Sequence, residues 1–363
     1  MSSPQASKPT SASHGDPRDG AHGVHQKQNR RLQISWWAVA AVVLILPSAG
    51  LTALSSRPWN IGTPWVQLLS GYPLTFPLTV LALVAAVLAF RKVRRRAGST
   101  VASTVILGVT IAVLAAQSLL LAPRIIADPR KNDGATEPPT PRSLSVMALN
   151  VGSGGWDVPA ITAAVTDNNV DLLALPELGP LSLEALEAGG LSDLLPYSVT
   201  DVDWADTGSG VFSRFPLEAQ GKVPGSVFNQ SRALLSVDQG PTLAVTAVHV
   251  DSPRPGHTPF WRTELAQLAD QTGSAAATIL LGDFNATLDH PEFRALVAAG
   301  FTDAAAATGQ GLSPTWPHNS ALPAFAALDH ILVSPTIGIS AFRTVVIPGT
   351  DHAGVVAELT LPG

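Results

Sequence analysis

The chain has 363 residues, which is long enough for two domains of ordinary size, and it contains no cysteine, which excludes disulfides and cysteine-ligated metal sites. Residues 1–142 carry 15 Lys and Arg against 5 Asp and Glu, a net charge of +10. Residues 143–363 carry 7 against 22, a net charge of −15. The two parts therefore need separate explanations.

The first part begins with a polar segment and continues with three apolar ones. Residues 1–33 are rich in Ser, Pro, Gly, His and Gln, a composition that predicts a disordered tail. Three uncharged stretches follow within residues 34–122, at about 34–54, 58–90 and 101–122. Each supplies the ~20 apolar residues that a membrane-spanning helix needs, or nearly so, and none has an amphipathic face. We therefore expect three transmembrane helices and a multi-pass protein in the lipid bilayer.

The basic residues around these stretches predict their orientation. Lys27, Arg30 and Arg31 precede the first stretch, and five basic residues lie at 91–96 between the second and third, whereas Arg57 is alone between the first and second. Under the positive-inside rule, the tail is cytoplasmic and everything after residue 122 lies outside the cell membrane. Two alternatives stay open for the first stretch: a cleaved signal peptide, with small residues near 49–55, or a twin-arginine signal at Arg30 and Arg31.

The second part alternates between strand and helix patterns. Residues 123–142 are polar and rich in proline, which predicts a semi-extended linker in front of it. Strands are predicted at Ser145–Val151, Leu172–Leu175, Gly210–Ser213, Ala233–Val237, Leu243–Val248, Thr278–Leu281, His330–Val333, Phe342–Ile347 and Val355–Leu361. Helices are predicted at Pro159–Asn168, Leu181–Leu186, Phe260–Gln271 and Pro291–Ala299, with Asp157 and Asp289 as N-caps. This alternation is typical of an α/β sandwich in which two mixed sheets pack face to face and helices lie outside.

Polar side chains follow several of these strands at the point where each strand ends, which is where α/β folds gather their functional groups. Glu177 follows an uncharged run, Asn150 closes the first strand, and His249 ends another. Asp283 and Asn285 lie two residues apart, so their side chains point the same way if the strand continues, and together they can hold a water and a phosphate oxygen. Mg²⁺ prefers hard oxygen ligands and keeps several waters, so one or two carboxylates suffice to bind it.

In chain order the motifs are Leu149-Asn150-Val151, Leu173-Ala174-Leu175-Pro176-Glu177, His249, Gly282-Asp283-Phe284-Asn285, Leu328-Asp329-His330 and Gly349-Thr350-Asp351-His352. Together they resemble the motifs of the endonuclease/exonuclease/phosphatase superfamily, over about residues 143–363. The resemblance implies a four-layer α/β sandwich, two mixed β-sheets flanked by helices, here preceded by three transmembrane helices. It also implies a metal-dependent phosphoric ester hydrolase that uses Mg²⁺, with Mn²⁺ as the alternative metal.

The resemblance implies roles for individual residues. Glu177 is the expected metal ligand, and Asp351 matches an additional ligand of the metal or of its water. Asn150 is expected to orient Glu177 or a metal-bound water. Asp329 is expected to hold His352, fixing the tautomer of an imidazole that activates water as a general base.

Three further positions have weaker support. His249 matches a histidine that contacts the scissile phosphate or acts as a general acid. Some relatives pair that histidine with a glutamate, for which Asp206 and Asp251 are the substitutes that this sequence offers. Arg232, before a predicted strand, is a candidate for substrate binding through phosphate, and Arg214 lies in a Ser-Arg-Phe-Pro turn that recurs in the family.

The expected function is extracytoplasmic hydrolysis of a small or lipid-linked phosphodiester or phosphomonoester by metal-assisted attack of water. Proteins that grip nucleic acid normally present Lys and Arg to the phosphates, and a net charge of −15 is unfavourable for that partner. An extracellular nuclease is nevertheless the first alternative, and a catalytically inactive ligand-binding protein of the envelope is the second. The retained carboxylates and histidines argue against the second. The sequence makes no protein partner evident.

Overall fold

The computed structural model describes residues 35–96, 98–127, 142–152, 155–205, 207–238, 240–273 and 277–361. The predicted tail, residues 1–33, lies outside the described residues, and so does the greater part of the predicted linker, residues 128–141. The described residues form a group of helices followed by a two-sheet sandwich, and the two parts are in contact.

Long helices form where the sequence is apolar. They are α1 Trp36–Ser55, α3 Thr75–Arg95 and α4 Val101–Ile125, and a short helix, α2 Trp65–Leu69, lies in the connection between α1 and α3. A 3₁₀ turn at Tyr72–Leu74 leads directly into α3. Each of the three long helices is long and apolar enough to cross a membrane. The prediction of three apolar helices ahead of the α/β part is confirmed.

The three long helices pack through small residues and one buried polar contact. Ala41 of α1 packs against Ala85 and Ala86 of α3, and small side chains allow the helix backbones to approach closely. Gln117 Nε2 of α4 donates a hydrogen bond to Thr75 Oγ1 at 2.8 Å, where both side chains are buried. These contacts hold the ends of α3 and α4 together on the side where the sandwich lies.

Twelve strands are described. They are β1 Arg142–Ala148, β2 Leu172–Pro176, β3 Tyr197–Asp201, β4 Ser209–Ser213, β5 Leu217–Lys222, β6 Ser231–Ser236, β7 Thr242–His249, β8 Ala277–Asp283, β9 Thr302–Asp303, β10 Asp329–Val333, β11 Gly338–Val345 and β12 Gly354–Leu361. The first sheet has the order β11-β12-β1-β2-β4-β3 and the second has the order β5-β6-β7-β8-β10-β9. Each sheet has one central parallel pair, β1–β2 or β7–β8, among antiparallel neighbours.

Helices cover the outer face of each sheet. On the first sheet these are α5 Val158–Asp167, α6 Pro180–Ala188 and α7 Leu191–Leu194, and on the second they are α8 Thr258–Ala269 and α9 Pro291–Ala298. Apolar side chains from the inner faces of both sheets share one core, and each outer face has its own core beneath its helices. The predicted four-layer sandwich is therefore confirmed.

The strands absent from the sequence-based prediction lie at sheet edges. These are β3, β5 and β9, and each is the last strand of its sheet. β5 is exposed along nearly its whole length, and β3 has a largely exposed pattern as well. Edge strands are covered on fewer sides, so they lack the apolar run that marks a buried strand in a sequence.

The helices and the sandwich share a buried contact behind the second sheet. Val66 of α2 is almost fully buried and joins the core that contains Trp261 and Phe284. Arg124 of α4 forms an ion pair with Asp289, with 2.6 Å between Nη1 and Oδ1 and both side chains nearly inaccessible to solvent. The helical part and the α/β part therefore have a common interior at this point.

One predicted helix cap is wrong because the residue forms this ion pair with α4. The sequence suggested Asp289 as the N-cap of α9, but His290 occupies that position, and the Asp289 carboxylate is used by Arg124. Asp157 does occupy the N-cap position of α5, although its side chain makes no capping hydrogen bond. An ion pair between distant parts of a chain has no local signal in the sequence.

Candidate active site

The strand ends of both sheets meet at one edge of the sandwich. The register of the second sheet places Asp283 opposite Asp329 on one side and opposite His249 on the other. In the first sheet, the backbone N–H groups of Leu149 and Val151 donate to carbonyls of β2. These two hydrogen bonds hold Asn150 alongside the end of β2. The carboxyl ends of two parallel pairs and the amino ends of their antiparallel neighbours thus supply the polar groups.

Asn150 links the two sheets across this edge. Its Nδ2 donates to Glu177 Oε1 at 2.9 Å and to Asp283 Oδ2 at 3.2 Å, and its Oδ1 accepts from the backbone N–H of Gly152 at 2.9 Å. Asn150 is fully buried. Because both ends of the amide are engaged within the protein, Asn150 fits the orienting role for Glu177.

The backbone is locally unusual where the side chains leave the strands. Glu177 and Asn285 have φ values of 60° and 46°, in the left-handed region that side chains seldom adopt. Gly282 has φ 143°, and a Cβ there would lie 2.1 Å from the carbonyl oxygen of Val248, so β7 and β8 approach each other more closely than another residue would permit. Such conformations cluster at functional sites.

His352 and Asp329 form the predicted pair. His352 Nδ1 lies 2.8 Å from Asp329 Oδ2, and Nε2 lies 3.9 Å from Asp283 Oδ2. Burial disfavours the charged imidazole, but the carboxylates of Asp329 and Asp283 outweigh it and raise the pKa of His352 to about 10. His352 is therefore protonated at neutral pH. A protonated ring has no lone pair to accept a proton, so this shift favours Asp283 over His352 as the proton acceptor, and the general-base role of His352 stays a prediction.

Asp283 is better suited to accept a proton. Burial raises its pKa to about 7, against 3.8 for an unperturbed Asp, although the neighbouring His352 acts in the opposite direction. Its carboxylate also accepts from the backbone N–H of Asn285 at 2.7 Å and lies 3.3 Å from Asn285 Nδ2. A base with a pKa near the working pH is the most effective proton acceptor.

His249 completes the group from the end of β7. Its ring stacks on Phe228, with the centroids 4.2 Å apart, and Nε2 lies 3.5 Å from Glu177 Oε1. Burial lowers the pKa of His249 to about 3, with the nearby His352 acting in the same direction, so the imidazole is neutral at neutral pH. Phe228 was not predicted, because an aromatic residue in a loop carries no sequence signal for stacking.

Of the two partners proposed for His249 from the sequence, Asp251 is engaged elsewhere. Asp251 is buried and pairs instead with His257, whose Nδ1 lies 2.7 Å from Asp251 Oδ2. Asp206 lies outside the described residues. The carboxylate that His249 contacts is Glu177 itself.

Two carboxylates converge where a hard cation can bind. A Cβ added to Gly152 would lie 3.1 Å from Asp351 Oδ1 and 4.0 Å from Glu177 Oε2, so the two side chains flank a space that glycine leaves open. Asp351 is exposed and Glu177 is partly exposed, which leaves room for the waters that Mg²⁺ retains. The residues present therefore fit a magnesium-type ion held by Glu177 and Asp351.

Asp283, Asp329 and His352 are a second group with ligand-type atoms, all within 4.8 Å of one another. The His352–Asp329 hydrogen bond and the protonated imidazole occupy this group internally. Mg²⁺ also prefers oxygen to nitrogen ligands. The buried trio therefore suits proton handling, and the Glu177–Asp351 pair suits a metal ion.

The arginines predicted near phosphate are not brought to this edge. Arg232 lies opposite Thr246 in the register, on the outer face of the second sheet, and lines a separate cavity with Asp270. Its neighbour Ala233 faces the inner core, and alternation along the strand turns Arg232 outward. Arg214 pairs with Asp171 at 3.3 Å and is likewise used elsewhere.

A sequence model of the Endonuclease/Exonuclease/phosphatase family matches residues 147–352, which contain every residue assigned above. The chain belongs to the Endonuclease/Exonuclease/phosphatase family. Membership supports a phosphoester hydrolase that depends on a divalent metal, as is typical of this family. No curated protein matches the sequence.

Solved structures of the same fold are similar at low identity. An endonuclease/exonuclease/phosphatase from Beutenbergia cavernae is 18% identical, with a TM-score of 0.49, over 61% of this chain and 72% of that one. TDP2 from D. rerio, complexed with single-strand DNA product, is 18% identical, with a TM-score of 0.48, over 60% and 98%. The 3′ phosphatase NExo from Neisseria is 19% identical, with a TM-score of 0.45, over 59% and 98%.

Proposed function

We propose that the chain is a membrane-anchored phosphoesterase that hydrolyses a small or lipid-linked phosphoester outside the cytoplasm with the help of Mg²⁺ or Mn²⁺. The observation that carries the proposal is the junction at Asn150, which connects the Glu177–Asp351 carboxylate pair to the Asp283–His352–Asp329 trio. A cation site and a proton-handling site side by side are what phosphoester hydrolysis requires.

Glu177 and Asp351 would hold the metal ion. When bound, the ion would neutralise charge on the phosphoryl oxygens as a Lewis acid. Asn150 fixes the orientation of Glu177 from one side, and the neutral imidazole of His249 contacts the same carboxylate from another. The two contacts leave Glu177 little freedom to turn away from the site.

Asp283 holds the attacking water and takes its proton. The water oxygen bonds to phosphorus, the P–O bond to the alcohol breaks, and its electron pair leaves with the alcohol oxygen, which takes a proton from solvent. The protonated imidazole of His352, kept in place by Asp329, donates to a phosphoryl oxygen and offsets the developing negative charge. Asp283 and His352 thus have different roles, because the pKa of Asp283 lies near neutral pH and the pKa of His352 lies at about 10.

The proposed location rests on charge and on which helix ends meet the sandwich. The last turn of α3 carries Lys92, Arg94 and Arg95, and this end of the helices is away from the sandwich, whereas Ser55 and Arg124 contact it. The positive-inside rule then puts the catalytic part outside. Alkaline phosphatase fused after Gly363 should be active in cells, and a cytoplasm-dependent fluorescent reporter at the same point should be dark. The reverse pattern would contradict the topology.

Hydrolysis of bis-p-nitrophenyl phosphate by the full chain in nanodiscs tests the activity. We expect turnover with millimolar magnesium, loss of turnover in excess EDTA, and recovery when magnesium or manganese is restored. Glu177→Gln should raise the magnesium concentration needed for half-maximal activity, and Glu187→Gln, an exposed glutamate on α6, should not. Full activity in excess EDTA would overturn the proposal.

A further inference from the structure

A cavity of about 410 Å³ lies directly beside the proposed catalytic residues. Asn285 and His352 line one side of it, and Gln67 and Ser70 line another. Gln67 belongs to α2, and Ser70 follows it immediately, so this wall comes from the connection between two membrane-type helices. We call the cavity the α2 pocket.

The wall formed by α2 is fixed to the sandwich. Val66, beside Gln67, is buried in the core behind β7 and β8, and its carbonyl oxygen lies 2.8 Å from His290 Nε2. Arg262 of α8 donates to the carbonyl of Ile61 in the same connection. These buried contacts fix the positions of Gln67 and Ser70 relative to the strand ends, so α2 forms a fixed wall of the pocket.

The α2 pocket lies beside the connection between two of the apolar helices. Ser70 comes just before the 3₁₀ turn that enters α3, and α1 ends at Ser55, so the connection between these helices runs along the boundary of the apolar helices. Trp65 and Leu68 of α2 are 54% and 47% exposed, and Leu322, in the loop between Trp316 and Phe325, is 64% exposed. Exposed Trp and Leu side chains at a helix end are suited to the interface between lipid and water.

The pocket is lined by one basic side chain and by aromatic side chains, a combination that suits an anionic lipid. Arg254 is the one Lys or Arg among the described residues that line it, and the buried Asp251 carboxylate holds it at 3.6 Å. The half-buried rings of Trp316 and Phe325, which pack edge to face, line the same cavity. A cation and aromatic surface together match a phosphate group carried on an apolar molecule.

We propose that the α2 pocket selects a phosphoester of a lipid alcohol, taken directly from the membrane surface, with the membrane connection supplying part of the substrate site. Its phosphate contacts Asn285, His352 and Arg254. Gln67 and Ser70 contact the part of the molecule next to the phosphate, and the apolar part extends past Trp65 into the bilayer. This inference rests on the proposed function and adds the class of substrate. The hydrolytic step is the one already given, with the lipid alcohol bound to phosphorus through an ester oxygen.

The test compares lipid and soluble substrates with variants of the α2 wall. The full chain is placed in phosphatidylcholine nanodiscs doped either with phosphatidylglycerol or with a polyprenyl phosphate, and loss of each lipid is followed alongside hydrolysis of bis-p-nitrophenyl phosphate. Ser70→Trp, which fills the pocket, should lower turnover of the preferred lipid about tenfold or more, corresponding to at least one 1.4 kcal/mol step. Gln67→Ala and Arg254→Ala should raise KM for the lipid and leave kcat nearly unchanged.

Matched controls separate pocket effects from general damage. Ser56→Trp adds the same ring at an exposed position near the end of α1, and Gln220→Ala removes an exposed glutamine on β5. Both controls should behave as wild type on the lipid and on bis-p-nitrophenyl phosphate. Ser70→Trp should lower turnover of the lipid more than turnover of bis-p-nitrophenyl phosphate, because the small substrate makes fewer contacts with the α2 wall.

The possible outcomes distinguish failure of the lipid inference from failure of the proposed phosphoesterase function. Turnover of bis-p-nitrophenyl phosphate with neither lipid consumed overturns the lipid inference and leaves the proposed function in place. Lipid turnover that Ser70→Trp and Ser56→Trp change equally also overturns the inference. If neither the lipids nor bis-p-nitrophenyl phosphate are hydrolysed in the presence of metal, both the lipid inference and the proposed function are overturned. Consumption of one lipid arm alone, lost in Ser70→Trp, supports the inference and identifies the lipid.

Discussion

The neutral imidazole of His249 lies 3.5 Å from the carboxylate of Glu177. A charged histidine at this distance would compete with a cation for the carboxylate, whereas a neutral one contacts it without adding positive charge. The neutral state of His249 is therefore compatible with a metal ion at Glu177, and the ring of Phe228 stacks on His249 and restricts the movement of the imidazole.

This relationship predicts how variants at His249 respond to pH. His249→Gln keeps a polar side chain that can contact Glu177, and it should retain more activity than His249→Ala. Because burial lowers the pKa of His249 to about 3, activity should not show an acid limb near 6.5 that depends on this residue. The measurement is kcat/KM against pH for both variants and wild type. An inflection near 6.5 that disappears in both variants would contradict the assignment.

Asp283 should contribute to activity at the expense of stability. Its folded-state pKa is about 7 against 3.8, so its contribution to the free energy of unfolding is complete below pH 3.8 and is lost as the pH rises to 7. Asp283→Asn, which resembles the protonated carboxyl, should lower kcat by roughly 10²–10⁴. The same variant in EDTA should have a higher Tm than wild type above pH 7, with the gain vanishing below pH 3.8. A lower Tm above pH 7 would show that the carboxylate stabilises the fold.

His352 and Asp329 should act as one unit. His352→Ala removes the protonated imidazole and should lower kcat/KM by roughly 10²–10⁴, a loss of electrostatic stabilisation in the transition state. Residues that act through each other are not additive, so adding Asp329→Ala should cost little more. A double-mutant cycle on bis-p-nitrophenyl phosphate measures this. If the two losses multiply, Asp329 has a separate task.

Gly152 should be required for metal binding. A methyl group at this position would lie 3.1 Å from Asp351 Oδ1 and displace the carboxylate, so Gly152→Ala should raise the magnesium concentration needed for half-maximal activity. Gly221→Ala is a matched control, because Gly221 also has positive φ, at 70°, but has open space around the added atom. An equal shift in both variants would indicate backbone strain and exclude crowding of Asp351 as the cause.

The buried ion pair between Arg124 and Asp289 should hold the two parts together. Arg124→Met leaves a buried carboxylate without its cation, which typically costs about 3–5 kcal/mol. Arg343→Met breaks the half-exposed pair with Glu358 and should cost no more than about 1 kcal/mol. Thermal unfolding in nanodiscs compares the two. Similar losses in both would mean that the Arg124 contact is not a stabilising junction.

The sequence predicts the catalytic edge well because the edge is built from strand ends. Apolar runs mark where β2 and β8 lie, so Glu177, which follows β2, and Asp283, which ends β8, could be placed at this edge without a structure. Arg232 was misplaced because sidedness at the end of a strand depends on register, which the sequence does not give. The protonation of His352 and the contacts of α2 depend on burial between distant segments, for which one sequence contains no signal.

Because α2 and α4 share a buried interior with the sandwich, removing the helices affects the sandwich itself. A fragment beginning at Arg142 would retain every assigned catalytic residue, yet Asp289 would be left without Arg124, and the space that Val66 fills would open to water. Gln67 and Ser70 would be missing from the cavity beside His352. Under the proposed function, we expect such a fragment to be less stable and less selective for its substrate than the intact chain.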